Sequence, residues 1–212
     1  MIYLSIDCAN KSLAIGLYKI NLDNWKESLL TLLQDKNIDI EQKLILSNKL
    51  LDDVVNIDFL KVIDLIPNQK IKDTSLIDRS ITLKLHIEDI MNIMKKYDEV
   101  INIYIEYQMN ANDKSRCIFN QLIYAFSDTN LYKVKIITPT LKNKIYFSDE
   151  LKHCKILQRY SKVYTANKIH CKENFLFFLN LFNKIKYIND IKKKNVDDIA
   201  DTFMQLMGSL VC

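Results

Sequence analysis

The chain has 212 residues, 49% hydrophobic and 26% charged, with a formal net charge of +4. That suffices for one sizeable soluble globular domain with a real core. With only 2 glycines, Gly16 and Gly208, a glycine-rich phosphate loop cannot be built, and no uninterrupted apolar run is long enough to span a bilayer.

IYLSID alternates, with Ile2, Leu4 and Ile6 on one side and Tyr3, Ser5 and Asp7 on the other, which predicts a strand. LAIGLYKI follows a short polar turn and predicts a second, hairpin-paired strand. NWKESLLTLLQDK and IEQKLILSNKLLDDV carry helical spacing, so residues 23–55 read as a helical insertion. FLKVIDLIP predicts a third strand closed by Pro67, and Ile87 to Tyr97 a helix. INIYIEYQM alternates again, with Tyr104 and Glu106 opposite Ile101, Ile103 and Ile105. NANDKSRCIFNQLIYAF predicts a helix opened by an Asn or Asp cap. KVKIITP predicts a strand ended by Pro139. IHCKENFLFFLNLF predicts a helix with an aromatic face, and NVDDIADTFMQLMGSLVC a last helix starting near Asn195. Strands alternating with helices imply an α/β fold with a mixed sheet.

Charge is unevenly placed. From Lys133 to Lys172 there are ten Lys or Arg against two acids, while Asp35 to Glu99 leans acidic. A basic face for an anionic partner is the expectation. The 5 cysteines have no framework spacing, and Asp7 and Lys11 interrupt any secretory leader, so a reducing, intracellular setting is expected. His153-Cys154 and His170-Cys171 repeat a His-Cys pair but lack a zinc knuckle. Ser-His-Asp and Cys-His chemistry has no motif support.

The carboxylates are the strongest chemical signal. Asp7 and Glu106 end two strands, where α/β sheets place their ligands. Asp198 and Asp201 are three apart and Asp197 and Asp201 four apart, so either pair shares a helical face. Acids drawn together repel unless a cation joins them, and hard Mg²⁺ takes carboxylate oxygens. Two such ions can stabilise both oxygens of a phosphodiester displacement. Asp197 and Asp198 also suit the positive end of a helix without any metal. Lys114 and Arg116 after the Glu106 strand, and Lys142 and Lys144 after the next, would ring the same sheet end and suit phosphate contact.

LSIDCANKS, IEYQMNANDKSRCIFNQLIYAF, KVKIITPTLKNK and NVDDIADTFMQL, in this order, resemble the RuvC-like Holliday-junction resolvases of the RNase H-like superfamily. More narrowly, they resemble the poxvirus-type resolvases of large DNA viruses. The resemblance covers the first turn and most of the chain after Ile101. It implies an RNase H-like mixed five-stranded sheet, with Asp7, Glu106, Asp198 and Asp201 as the catalytic acids holding two Mg²⁺ ions, which Mn²⁺ can replace. It implies nicking of four-way DNA junctions by a homodimer, with no membrane partner, and, for a poxvirus-like protein, action in the host cytoplasm at viral replication sites. Lys11, Lys144 and Lys172 match its basic positions near the active site, and Lys168 lies in the matching basic segment. Ala9 stands where glycine is common in that family, and YTANKIHCK has fewer charges than its basic run. An RNase H-type or general nuclease, and an inactive junction-binding protein, are the alternatives.

Overall fold

The computed structural model describes residues 1–9, 11–22, 55–67, 69–107, 112–127, 129–144, 163–181 and 184–211. The expected helical insertion, except for Val55, which opens a strand instead, and His153-Cys154 lie outside them.

Five strands form one sheet: β1 (Ile2–Cys8), β2 (Ser12–Ile20), β3 (Val55–Asp64), β4 (Ile101–Glu106) and β5 (Tyr132–Ile137). Their order is β3-β2-β1-β4-β5. β1, β2 and β3 are an antiparallel meander, whereas β1, β4 and β5 run parallel. Four helices complete the described fold: α1 (Leu76–Met94), α2 (Asp113–Ser127), α3 (Val163–Leu181) and α4 (Val196–Val211). The third strand starts at Val55, earlier than its predicted Phe59, and α1 starts at Leu76 rather than Ile87. Asn112 caps α2, its side chain accepting from the Ser115 N–H at 3.1 Å. Ser75 caps α1 in the same way, accepting from Asp78 N–H at 3.0 Å.

The strict alternation of β1 and β4 divides the interior into two cores, since successive side chains leave opposite faces of a strand. Ile2, Leu4, Ile6, Ile101, Ile103 and Ile105 pack on the side of α1 and α2. Tyr3 and Tyr104 pack on the side of α3 and α4, with Phe175, Phe178, Phe203 and Met207. Phe203 links the helices to the sheet through ring contacts with Phe178 at 4.5 Å and Tyr18 at 5.7 Å. The sheet is therefore a middle layer between two pairs of helices. None of the described helices is long and apolar enough to cross a membrane.

Two details carry this scaffold toward the carboxylates. Ser5 Oγ donates to the Thr202 carbonyl at 2.8 Å, so β1 is tied to α4 one residue from Asp201. A side chain at Gly208 would collide with the backbone carbonyl of Leu141. The absent side chain lets the short 3-10 turn Leu141–Lys144 lie directly on α4.

Candidate active site

Asp7 and Glu106 meet because β1 and β4 are parallel neighbours. Ile6 stands opposite Ile105, so the next residue of each strand is an acid at the same sheet end. Both share the face of Tyr3, Ser5 and Tyr104, which is the face α4 covers. Asp201 enters from the first part of α4 and is 2% exposed, while Glu106 is 7% exposed. Asp198, one turn earlier, is half-buried and close enough to Asp7 to repel it. Four acids from two strands and one helix thus converge.

Their electrostatics follow from burial and crowding. Asp7 is held well above the ordinary carboxylate range, first by burial and then by repulsion from Glu106 and Asp201. Glu106 is also raised, chiefly by burial and further by Asp201, against the opposing pull of the Lys142 ammonium. Lys142 Nζ lies 2.8 Å from Asp201 Oδ2 and 3.6 Å from Glu106 Oε2. Burial alone would make that ammonium easier to deprotonate. Asp201, Glu106 and Asp7 more than offset this and raise its pKa. One lysine thus serves three carboxylates, the buried Glu106 and Asp201 and the partly exposed Asp7.

The remaining predicted basic residues are dispersed. Lys168 and Lys172, one turn apart on α3, face the first turn of α4: Lys168 reaches Asp198 at 3.2 Å and Lys172 reaches Asp197 at 2.7 Å. These half-buried pairs fasten α3 to the helix end, each contributing at most about 1 kcal/mol. Asp197 therefore has a structural partner besides the helix dipole. Lys144 is the last residue of the turn that carries Lys142. Lys11, in the turn after Asp7, is 3.8 Å from Asp64. Lys114 donates to the Thr74 carbonyl at 3.2 Å, and Arg116 is exposed on α2.

Gln205 belongs to the site and did not stand out in the sequence reading. It is fully buried one turn beyond Asp201 and lies against Glu106, favouring its ionised form. Neither heteroatom of its amide has a partner in hydrogen-bond geometry. The available signal was a lone polar residue in the apolar run TFMQLMG, four residues after a candidate acid. Cys171 is buried beside Asp201 and its thiol is pushed up, first by burial, so it stays protonated. His170 is buried against Asn174.

Among the described residues, no three ligand side chains close around one point as a ready-made cation site. The donor set nevertheless fits a hard divalent cation. It consists of carboxylates, and Asp201 Oδ1 and Glu106 Oε2 are buried without a hydrogen-bond partner. The position that a cation would neutralise is held by the Lys142 ammonium.

A mixed sheet in the order β3-β2-β1-β4-β5, covered by helices on both faces and carrying acids at the ends of β1 and β4, is the RNase H-like fold of the junction resolvases. The chain superposes over its whole length on the fowlpox virus Holliday junction resolvase, with a TM-score of 0.53 and 14% identity, covering 98% of that chain. The same viral resolvase in complex with Holliday junction DNA gives 0.52 and 16% identity, over 100% of this chain and 97% of the other. Thermus thermophilus RuvC gives 0.51 and 9% identity, over 98% and 94%. The sequence itself matches no family model and no curated protein. The likeness is therefore one of fold.

Proposed function

We propose that this chain is a divalent-metal-dependent endonuclease that resolves four-way DNA junctions. The observation that carries the reading is the convergence of Asp7, Glu106, Asp198 and Asp201 at one end of a resolvase-type sheet. The solved proteins of this fold include one bound to Holliday junction DNA, which supports the choice of substrate.

Asp7, Glu106, Asp198 and Asp201 would hold Mg²⁺ or Mn²⁺, two ions per site in this reading. Bound there, the metal supplies charge neutralisation at the scissile phosphate and lowers the pKa of a nucleophilic water. The chain's own residues supply the rest. Parallel pairing of β1 and β4 fixes the spacing of Asp7 and Glu106. The Ser5 bond to Thr202 fixes the height of Asp201 against them. Lys142, paired with Asp201 and Glu106, would add positive charge beside the scissile phosphate. Lys168 and Lys172 orient the α4 acids. A second copy of the chain would place a second site on a junction of two-fold symmetry. The solvent-facing row Ile77, Ile81 and Leu85 on α1 supports association.

The test is one incubation of the protein with labelled four-way junction, linear duplex and RNA–DNA hybrid, with and without Mg²⁺. Metal-dependent paired nicks confined to the junction are expected. The Asp198→Asn variant should lose cleavage by at least about a hundredfold, the scale of one lost charge-stabilising group, while still binding the junction. Equal cutting of all three substrates would overturn the junction assignment, and undiminished cutting by the variant would overturn the metal assignment.

A further inference from the structure

A lysine normally lays its stem along the protein and keeps its ammonium in water. Lys142 does the reverse. Its side chain is 14% exposed, and its ammonium touches Asp201 and Glu106, whose side chains are 3% and 9% exposed. The pairs Lys168–Asp198 and Lys172–Asp197 are more exposed at both partners. Burying an ammonium is costly unless acids repay it, and here they do so only in part. Glu106 Oε2 and Asp201 Oδ1 remain buried without a hydrogen-bond partner. A single positive charge faces the carboxylates of Asp201, Glu106 and Asp7.

The root of that side chain is fixed independently of its tip. The Leu141 N–H donates to the Thr138 carbonyl and the Asn143 N–H to the Thr140 carbonyl, both at 3.2 Å. The Leu141 carbonyl rests on Gly208 of α4. The turn is therefore held by its own backbone and by α4, with no need of the Lys142 ammonium. From this root a flexible four-carbon stem can change rotamer and carry the ammonium off the acids while the turn stays seated.

We propose that Lys142 is a tethered competitor of the divalent cation: its ammonium holds Asp201 and Glu106 together in the metal-free protein and swings off them when the cation enters. This rests on the reading of the acids as a metal site. The ammonium and an ion coordinated by these carboxylates need the same oxygens, and two cations so placed repel each other. A divalent ion brings the larger charge and prevails. A monovalent ion brings no more charge than the ammonium already supplies. Because the ammonium is attached to the chain, its effective concentration at the acids is high. The protein thus binds its metal more weakly than the acids alone would, and a metal-free site is not left with bare, mutually repelling carboxylates.

The experiment needs no DNA and no cleavage. Mn²⁺ binding is measured by the loss of the free-ion electron paramagnetic resonance signal, for the parent, Lys142→Gln and Lys172→Gln. Lys172 serves as the control because it pairs with Asp197, outside the four acids read as metal ligands. Lys142→Gln should bind Mn²⁺ at least about tenfold more tightly, within the usual range of coupling between two ligands. Lys172→Gln should stay within about twofold, as suits a half-exposed pair. Equal or weaker binding by Lys142→Gln, or an equal gain by Lys172→Gln, overturns the proposal. The parent alone gives a second readout that does not depend on any variant folding. Reductive methylation by formaldehyde and cyanoborohydride, followed by mass spectrometry, reports the access of each amine. Saturating Mg²⁺ should speed methylation of Lys142 at least about fivefold relative to EDTA and leave the exposed Lys133 unchanged. Lys142 as protected in Mg²⁺ as in EDTA overturns the proposal. If this inference alone fails, the parent binds Mn²⁺ and Lys142→Gln binds it no more tightly. If the metal-site reading fails, neither protein takes up Mn²⁺, which overturns both.

Discussion

At the scale of single residues, Asp7 has the clearest measurable consequence. Its folded pKa lies well above the unfolded value of 3.8, and that of Glu106 above 4.5. A carboxyl raised in this way binds its proton more tightly when folded. It contributes stability that is complete below the unfolded value and is lost as pH rises through the folded one. Without metal, then, Asp7 should weaken the fold at neutral and alkaline pH. Asp7→Asn should melt higher than the parent at about pH 8 in EDTA, and the gap should close toward about pH 4. Scanning fluorimetry of both proteins across that range checks this, and a gap independent of pH would mean that Asp7 is not repelled. The acids were legible in part: Asp7 and Glu106 end alternating strands, and Asp201 shares a helical face with either Asp197 or Asp198, so that the choice of Asp198 came from the family resemblance. The role of Lys142 was not legible. Its sequence neighbours place it in a basic loop, and only the approach of that loop to α4 turns it inward to Asp201. Gln205 was hidden for a related reason, because one amide in an apolar helix acquires meaning only from Glu106 across the interface.

At the scale of elements, the join between α4 and the turn Leu141–Lys144 decides where that ammonium sits. Asp201, Gln205 and Gly208 follow one another at helical spacing along α4. Asp201 holds the Lys142 side chain, and Gly208 admits the Leu141 backbone. A methyl group at Gly208 would meet a carbonyl oxygen rather than a flexible side-chain tip, so relief requires movement of the turn. Gly208→Ala should therefore destabilise the protein by about 1–3 kcal/mol, the usual cost of overpacking, despite alanine's better helix propensity. Urea titration measures it, and an unchanged or stabilised variant would show that the turn is not seated there. The limits of pattern reading at this scale are visible in α1. Its first three turns place Ile77, Ile81 and Leu85 toward solvent, while Arg79 is fully buried. Apolar residues outside and a cation inside invert the expected period, so the readable helix began only at Ile87. β4 had no such conflict, and its alternation placed Glu106 on the correct face.

At the scale of the whole molecule, the two cores divide the labour. The core under α1 and α2 is largely aliphatic, whereas the core under α3 and α4 is rich in aromatic rings and borders the carboxylate cluster. The mixed sheet was legible because alternation and chain order suffice for it. The dense basic tract after Lys133 reads in the sequence as a basic face, yet Lys142, Lys168 and Lys172 within it face acids. This division predicts how a divalent cation spreads its effect. Joining Asp7, Glu106 and the α4 acids would clamp α4 to β1 and β4, and the turn at Leu141 would follow because it rests on α4. The helices on the other face share no polar contact with the cluster among the bonds described above. Hydrogen exchange measured with Mg²⁺ or Mn²⁺ against EDTA should slow in 196–205 and 141–144. It should stay unchanged in 76–94, since local opening reports local contacts. Slowing by about tenfold would correspond to about 1.4 kcal/mol of added local stability. Equal slowing across both helical layers would point to general stabilisation of the fold, and slowing confined to 76–94 would place the cation away from the carboxylates.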